Sequence, residues 1–229
     1  MTILAIETAF AACQVAVRGA DGALLAQRSE VMQRGQAEVL PAMLQAVMAE
    51  AGHSFAELAL IAVGIGPGSF TGVRVGVAAA RGLALVAGCP VAGVTTLEAL
   101  AHAVPGGEGR AGQTVLAVVD ARRGQVYAQG FTVAPRPIAT GEPLVGDLAE
   151  LGPQLAAGGV ADWVAGDMAE PVAAAGWARR IVPGAILPAP QDLASIALLD
   201  LRRGTVRPAV PLYVRGPGAV PSRPGRTGP

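Results

Sequence analysis

The segment 64–72 comes nearest to a ligand-binding pattern. It reads Gly-Ile-Gly-Pro-Gly-Ser-Phe-Thr-Gly and leads into an apolar run with helical character. Backbone N–H groups of a glycine-rich loop can hold a phosphate at the start of a helix, which would place Gly66, Gly68 and Ser69 beside a nucleotide. The alternative is a structural turn that lets the following helix pack tightly, and we favour this alternative over nucleotide contact.

Three better-known loops are excluded by the residues of the same segment. No Lys follows the glycines, as a Walker loop requires, and the whole sequence contains no Lys. Ser69 stands where a dinucleotide-binding loop has its third Gly. Pro67 and Thr71 flank Ser69 at the positions where a nucleophile elbow has two Gly residues. The segment therefore matches none of the three.

Two acidic residues, Glu7 and Asp120, stand at the ends of predicted strands. Together they would suit a magnesium ion or a water molecule near a nucleotide, because Mg²⁺ is bound through carboxylate oxygens. The alternative is that each carboxylate caps its own turn or pairs with Arg122 or Arg123. For a chain that acts alone, we favour the alternative.

Few other residues are candidates for catalysis. His53 and His102 each stand near a predicted helix end, and no His-x-x-x-His motif occurs, so we expect surface or capping roles for both. Cys13 and Cys89 lie far apart in apolar surroundings, which fits a reducing compartment and indicates neither a disulfide framework nor a zinc site. The side chains that most nucleophilic and metal-dependent mechanisms require are therefore not all present. We predict no catalytic residue and no metal site.

The composition indicates a folded protein without a nucleic-acid-binding surface of its own. The chain has 229 residues, of which 52% are hydrophobic and 3% aromatic, and its mean hydropathy is +0.48. The formal net charge is zero, whereas a protein that holds tRNA alone is expected to carry a basic patch. The N-terminus does not have the pattern of a signal peptide. The apolar stretch 73–86 contains two Arg residues and is too short to span a bilayer, so we expect a cytoplasmic protein.

Alternation and helical periodicity predict the elements that carry these residues. Strands are predicted at 3–7, 13–18, 23–31, 60–65, 91–94, 114–121, 125–133 and 163–165. Helices are predicted at 37–51, 70–87, 96–103, 147–157, 167–175 and 192–203, and Asp192 is expected to cap the last of them. Pro41 suits only the first turn of a helix, so the first helix is expected to begin later than Ala37.

The order of these elements suggests two related halves. An acidic residue ends a strand, a short turn follows and an antiparallel strand returns, once after Glu7 and again after Asp120. Repetition of this kind favours an internal duplication. With the glycine-rich break 105–112 as the boundary, we predict an N-terminal half at 1–104, a C-terminal half at 113–215 and a disordered tail at 216–229.

Five segments together resemble one family. They are 3–8, 62–74, 90–97, 120–127 and 211–215, in this order along the chain. The sequence is therefore similar to the TsaB (YeaZ-type) family, and the run Gly-Pro-Gly-Ser-Phe-Thr-Gly-Val-Arg (66–74) is the most specific part. Two positions depart from the family's pattern, because Glu7 replaces an Asp and Gly35-Gln36 replaces a His-Ser pair. Both departures weaken the expectation of direct nucleotide or substrate binding.

The resemblance implies an α/β fold of the actin-like (ASKHA, ribonuclease H-like) class, with two βββαβα-type halves of which the second is reduced. It also implies a non-catalytic scaffold that binds and activates the catalytic paralogue TsaD in the complex that forms N6-threonylcarbamoyladenosine in tRNA. The ATPase TsaE would be a further partner, and tRNA would be contacted only through the complex. The chain would hold no cofactor of its own. Binding of ATP or ADP at the interface with the partner is left open as an alternative.

The second predicted helix supplies a physical reason for a partner. It is apolar nearly all round, so burial on more than one side is expected, and Gly72 and Gly76 would let another helix come very close. The predicted partner surface takes residues from the first two helices: Leu40, Leu44, Val47, Val73, Arg74, Gly76, Val77, Ala80 and Arg81. In the absence of the partner, the same surface would be open to a homodimer.

Three other interpretations stay open at this point. The first is a nucleotide-dependent phosphotransferase on the same fold, with Glu7 and Asp120 at the phosphates. The second is a peptidase, although no protease constellation is visible. The third is a small-molecule or structural module unrelated to tRNA, against which the specific run 66–74 argues.

Overall fold

The computed structural model describes residues 1–105 and 110–214. The predicted disordered tail, 216–229, lies outside the described residues. The same holds for residues 106–109 of the glycine-rich break and for Arg215, the last residue of the predicted C-terminal half.

The first half of the chain forms a five-stranded sheet. Its elements are β1 (Thr2–Glu7), β2 (Ala12–Gly19), β3 (Leu24–Val31), α1 (Gln36–Glu50), β4 (Leu58–Gly64), α2 (Phe70–Ala87), β5 (Val91–Val94) and α3 (Thr96–His102). The strand order is β3-β2-β1-β4-β5. Because β1 runs antiparallel to β2 and parallel to β4, the loops that follow β1 and β4 meet at the same edge of the sheet.

The second half repeats this arrangement in shorter form. Its elements are β6 (Thr114–Arg122), β7 (Gln125–Thr132), β8 (Ile138–Ala139), β9 (Leu144–Asp147), α4 (Leu148–Ala156), β10 (Trp163–Ala165), α5 (Ala169–Ala174) and α6 (Pro190–Arg203). β6 is antiparallel to β7 and parallel to β10, as β1 is to β2 and β4. Beside β10, the described residues form only two isolated parallel bridges, Ala161 with Ala178 and Val164 with Ile181, where a counterpart of β5 would lie. The prediction of two related halves, the second reduced, is confirmed.

Helices cover both faces of each sheet. In β1, Leu4 and Ile6 pack with α1 and α2, and the alternate residues Ile3 and Ala5 pack against α6, as the two-residue period of a strand requires. β6 follows the same rule, with Val115, Ala117 and Val119 facing α3 and Leu116 and Val118 facing α5. As a result, α3 and α6 form a layer between the two sheets.

Buried ion pairs tie the two halves together within this middle layer. Glu98 of α3 accepts two hydrogen bonds from the Arg207 guanidinium, at 2.5 and 2.8 Å. Asp200 of α6 accepts from the Arg136 guanidinium. Both carboxylates are buried, so these pairs compensate charges that would otherwise be costly inside the fold.

The start of α1 differs from the expectation. The helix begins at Gln36, after Gly35 in a left-handed conformation, so a start later than Ala37 is wrong. Pro41 lies inside the helix on its exposed side. There the missing N–H costs one helical hydrogen bond, but the Pro ring does not disturb the core.

The start of α6 also differs from the expectation. Ala189 is the N-cap and Pro190 the first helical residue, which suits the fixed φ of Pro. Asp192 is therefore not the cap. Its carboxylate instead lies 2.8 Å from Nδ1 of His102 at the end of α3, which adds a further contact between the two middle helices.

The small residues of α2 pack against the chain itself. A Cβ at Gly72 would lie 2.0 Å from the carbonyl oxygen of Thr8, and one at Gly76 would lie 2.4 Å from Thr8 Oγ1. The expectation that these glycines admit a second helix is wrong, because they admit the turn after β1. The opposite side of α2 is exposed, and only 28% of the helix is buried, so the expectation of burial on more than one side is also wrong for the described chain.

By length and composition alone, α2 is long and apolar enough to cross a membrane. It has 18 residues and a mean hydropathy of 1.4, so the expectation that this stretch is too short is corrected. The helix packs along the sheet through Val73, Val77 and Ala80, and Arg74 and Arg81 interrupt its exposed side. These contacts are those of a helix in a layered α/β fold.

Candidate functional site

A cleft opens between the two sheets, next to the ends of β1 and β6. Its volume is about 320 Å³. Both halves contribute to its lining, which consists of Ala9, Phe10, Ala11, Gln33, Gly68, Ser69, Asp120, Ala121, Arg122, Tyr127, Asp167 and Leu187. Of the five residues predicted to contact a nucleotide, Gly68, Ser69 and Asp120 line this central cleft, whereas Glu7 and Gly66 do not.

The turn after β1 holds the glycine-rich loop in place. A Cβ at Gly68 would lie 2.5 Å from the carbonyl oxygen of Ala9, and the Ser69 N–H donates to the same oxygen at 2.7 Å. Ser69 is also the N-cap of α2, because its Oγ accepts from the Gly72 N–H at 3.2 Å. These contacts use N–H groups that a phosphate would need. The geometry therefore favours the structural turn over a phosphate-binding loop.

Glu7 is buried beside β4 and does not face the central cleft. Its exposed fraction is 1%; Oε1 accepts from the Ala9 N–H at 2.6 Å, and Oε2 has no partner in the described part of the chain. A Cβ at Gly64 would lie 2.1 Å from Oε2, so the carboxyl fills the space that this glycine leaves. Burial raises the pKa of Glu7 to about 7. A carboxyl so placed does not suit a Mg²⁺ ion in the cleft.

Asp120 and Asp167 form an acidic pair on the wall of the central cleft. Asp120 Oδ1 accepts from the Arg122 N–H at 2.7 Å, and Oδ2 lies 3.5 Å from the Arg122 guanidinium. Asp167 Oδ1 accepts from the Asp120 N–H at 2.8 Å. The pKa of Asp167 is raised chiefly by partial burial and, to a smaller extent, by the nearby negative charge of Asp120. Asp120 thus caps its own turn and also pairs with Arg122. These are the contacts that we gave as the alternative to a metal site.

Two cleft residues, Asp167 and Gln33, are not indicated by any sequence pattern. Asp167 follows β10, which runs parallel to β6, so its position opposite Asp120 is a consequence of topology. Gln33 precedes α1, and its Oε1 accepts from Arg122 Nη2 at 3.3 Å across the cleft. Within residues 1–105 and 110–214, no group of three or more His, Cys, Asp and Glu side chains is placed to hold a metal ion.

A second concave feature is an apolar groove on the outside of α1 and α2. Its volume is about 640 Å³. Its lining, almost all apolar, consists of Ala37, Leu40, Pro41, Leu44, Gln45, Phe55, Val75, Ala78, Ala79, Gly82, Leu83 and Val86. Val86 of this outer groove is 79% exposed, and the adjacent Leu85 of α2 is 87% exposed. An apolar surface of this kind is typical of an interaction site.

Most of the predicted partner residues are core residues of the chain. The buried ones are Leu40, Leu44, Val47, Val73, Gly76, Val77 and Ala80, and only Arg74 and Arg81 are exposed. The reason is that a helical apolar period marks the face toward the sheet. The exposed side of the two helices is formed by other residues, such as Pro41, Ala78 and Gly82. Contact with a partner on this side stays a prediction.

Two related halves that face each other across a cleft define an α/β protein of the actin-like class. A solved structure from Pseudomonas aeruginosa, an uncharacterized protein with similarity to peptidase YEAZ, matches with a TM-score of 0.77 at 30% identity, over 93% of this chain and 99% of that chain. The protein belongs to the TsaB (YeaZ-type) family. A structure named YeaZ, also from Pseudomonas aeruginosa, matches with a TM-score of 0.74 at 28% identity, over the same shares of the two chains.

The sequence comparisons agree with this family. The Escherichia coli (strain K12) tRNA threonylcarbamoyladenosine biosynthesis protein TsaB is 44% identical over 128 residues, which are 56% of this chain and 53% of that protein. The match thus spans about half the length of the curated TsaB relative. An uncharacterized protein of Mycobacterium tuberculosis (strain H37Rv) is 35% identical over 96% of this chain and 94% of its own. The family model described as TsaD, tRNA N6-adenosine threonylcarbamoyltransferase, matches residues 28–150.

Proposed function

We propose that this chain is the non-catalytic scaffold subunit of the complex that forms N6-threonylcarbamoyladenosine in tRNA. In this role it binds and activates the catalytic paralogue TsaD, the ATPase TsaE is a further partner, and tRNA is contacted only through the complex. The role of its TsaB relatives in tRNA threonylcarbamoyladenosine biosynthesis, which their names state, supports a role in this pathway. The observation that carries the scaffold role is the exposed apolar groove outside α1 and α2.

The outer groove has the properties of an interface core. It is lined almost entirely by apolar or small side chains, and two large apolar residues, Val86 in the lining and Leu85 beside it, are exposed. Burial of such surface drives association, and small residues such as Ala78 and Gly82 let a partner backbone come close. Activation then follows by selection, because binding raises the population of the partner conformation that fits the groove.

The central cleft supports the non-catalytic part of the proposal. Its two carboxylates, Asp120 and Asp167, accept hydrogen bonds from backbone N–H groups, and Asp120 also pairs with Arg122. The third strand-end carboxylate, Glu7, is turned toward Gly64. Groups held in this way stabilise the strand ends of their own half and are poorly placed to transfer a proton or a phosphoryl group.

A single substitution in the outer groove tests the scaffold role. Gly82 lies on the exposed side of α2, and a Cβ there would meet no atom within 4 Å. Gly82→Trp should therefore leave the fold intact and, by filling the groove, weaken TsaD binding at least about tenfold, in the range of interface hot spots. The measurement is isothermal titration of the full chain with TsaD, together with the yield of modified adenosine in a reconstituted reaction.

Gly158→Trp provides the matched control. Gly158 is exposed, and a Cβ there is equally free of neighbours, but it follows α4 in the other half of the molecule. The control should bind TsaD as the unmodified chain does. Equal binding by the Gly82→Trp chain, with circular dichroism showing an intact fold, would contradict the proposal.

A nucleotide-dependent phosphotransferase is the second candidate, and the lining of the central cleft by Asp120 and Asp167 favours it. The buried position of Glu7 and the engaged N–H groups of Ser69 and Gly72 argue against it. Under our proposal the isolated chain has no cofactor, and any ATP or ADP is held only at the interface with the partner. Titration of the isolated chain with ATP and Mg²⁺ separates the two, because tight binding with turnover would establish the phosphotransferase.

A further inference from the structure

One cluster on the exposed side of α2 contains an arginine that stacks on one exposed aromatic ring and lies beside a second. The Arg74 guanidinium carbon lies 3.6 Å from the centroid of the Phe70 ring and 5.8 Å from that of Tyr213. Arg74 Nε donates to Tyr213 Oη at 2.9 Å. The two ring centroids are 5.4 Å apart. We call these three residues the aromatic clamp.

The aromatic clamp joins the start of α2 to the last described residues of the chain. Tyr213 belongs to the segment 205–214, which is fixed by backbone hydrogen bonds from Gly93 N–H to Arg207 O at 2.8 Å and from Leu212 N–H to Ile65 O at 2.7 Å. Because the segment is fixed, the Tyr213 hydroxyl holds the arginine in one orientation. A side chain oriented before binding loses less conformational entropy when a partner arrives.

The aromatic rings of the clamp remain open to solvent. Phe70 is 56% and Tyr213 48% exposed, although the chain is poor in aromatic residues, at 3%. Packing against the rest of the fold does not account for this exposure. Aromatic residues and Arg are the types enriched at the energetic centres of protein interfaces.

The two arginines on this side of α2 form no salt bridge within the described part of the chain. Arg74 and Arg81 are both exposed and stand seven residues apart, which is two helical turns or about 10 Å. The helix contains no Asp or Glu. Arg74 uses its Nε–H to bind Tyr213. The N–H groups of its two terminal nitrogens are available to bind another molecule.

We infer that Arg74 is the anchor that receives a carboxylate of the partner protein, with Arg81 receiving a second carboxylate two turns away. This inference rests on the proposed scaffold function and specifies the partner surface. That surface is apolar, so as to fill the outer groove, and carries two acidic side chains about 10 Å apart, as along a helix parallel to α2. Bidentate pairing with a carboxylate suits the planar guanidinium, and the aromatic rings exclude water from the pair.

A second copy of this chain fits the clamp less well than an acidic partner. α2 offers no carboxylate of its own, and the exposed acids of α1 are Glu38 and Glu50. Glu50 already pairs with Arg28 at 3.0 Å. A symmetric contact between two α2 helices would bring like charges together, which is unfavourable.

Charge reversal at the clamp tests the inference. Titration of the full chain with TsaD is carried out for wild type, Arg74→Glu, Arg74→Lys and a control, Arg203→Glu, an exposed arginine at the end of α6. We expect Arg74→Glu to weaken binding at least about tenfold, Arg74→Lys to weaken it less, and Arg203→Glu to change it within about twofold. Added salt should weaken wild-type binding more than that of Arg74→Glu.

The outcomes separate this inference from the proposed function. Binding lost by Gly82→Trp but kept by Arg74→Glu would retain the outer groove as the interface and overturn the carboxylate anchor. Equal losses with Arg74→Glu and Arg203→Glu would also overturn it, because they would reveal only a general charge effect. A change in self-association alone, measured by light scattering, would assign the clamp to a homodimer and overturn the acidic partner. Failure of the wild type to bind TsaD would instead refute the proposed function.

Discussion

The two strand-end acids, Glu7 and Asp120, start from the same local contact and end in different surroundings. Each carboxylate accepts a hydrogen bond from the N–H two residues further on, Glu7 from Ala9 at 2.6 Å and Asp120 from Arg122 at 2.7 Å. Glu7 is nevertheless buried, with one oxygen unpartnered, whereas the Asp120 side chain is 36% exposed and paired with Arg122.

The difference comes from the elements that follow each strand. In the first half, β4 runs beside β1 to its end, and the loop into α2 covers the turn after β1. In the second half, β10 has only three residues, and a hairpin follows β6 directly. The equivalent acidic residue is therefore buried in the core of one half and lines the cleft in the other. An internal repeat thus does not preserve the chemical environment of a residue.

The largest predicted effect concerns the pH dependence of stability through Glu7. Because the folded-state pKa is raised from 4.5 to about 7, the folded protein binds more protons than the unfolded chain between these values. Stability is full below the lower value and falls as the pH rises toward 7, by about 3 kcal/mol in total. Glu7→Gln should lack this loss. The free energy of unfolding in urea, measured at about pH 5 and about pH 8, provides the comparison.

Glu142→Gln is the control for this experiment, since it removes an exposed carboxyl far from the core. It should keep the pH dependence of the wild type. The amide of Glu7→Gln also leaves a buried N–H₂ group to satisfy, which costs about 1–3 kcal/mol at every pH. The decisive quantity is therefore the difference between the two pH values. An unchanged difference in Glu7→Gln would show that Glu7 ionises as an exposed acid does.

A second prediction concerns the space shared by Gly64 and Glu7. A Cβ at position 64 would lie 2.1 Å from Glu7 Oε2, so Gly64→Ala should lower the free energy of unfolding by about 2 kcal/mol, as overpacking does. Glu7→Asp shortens the side chain by one methylene and makes room. The double variant should thus be more stable than the sum of the single effects, with a coupling energy of about 1 kcal/mol in a double-mutant cycle.

Gly158→Ala controls for the general effect of replacing a glycine, because a Cβ there meets nothing within 4 Å. Its effect should be small. Strict additivity of Gly64→Ala and Glu7→Asp would mean that the two residues do not compete for the same space, and the contrast between the two acids would then need another cause.

The sequence was sufficient to predict the order of the long elements but not what lies against them. Short apolar runs located β1 and β6, and a long apolar stretch after the glycine-rich loop located α2, because these patterns are properties of single segments. The neighbours of Gly72 and Gly76 depend on the turn after β1, so spacing alone assigned them to a second helix. The strands β8 and β9, of two and four residues, were not predicted, whereas β5 and β10, of four and three residues, were, so length alone does not decide which strands the sequence indicates.

The site shows the same limit of sequence information. Asp120 was identified because it ends a long strand, whereas its neighbour Asp167 follows a strand of three residues in a distant segment. The burial of Glu7 depends on Gly64, and no pattern within β1 indicates it. The partner residues were assigned from the apolar period of α1 and α2, which marks the inner face. Small exposed residues of the groove, such as Gly82, do not interrupt the apolar period of the helices, so this period does not indicate them.

The smallest predicted effect belongs to Asp120. Asp120→Asn keeps an oxygen that accepts from the Arg122 N–H but removes a partly exposed ion pair, so the free energy of unfolding should change by less than about 1 kcal/mol. The charge of Asp120 is one cause of the raised pKa of Asp167, so that pKa should fall in the variant. Carboxyl ¹³C chemical shifts followed against pH measure it. A rise, or a stability loss as large as that of Gly64→Ala, would place Asp120 in the core with Glu7 and remove the contrast between the two halves.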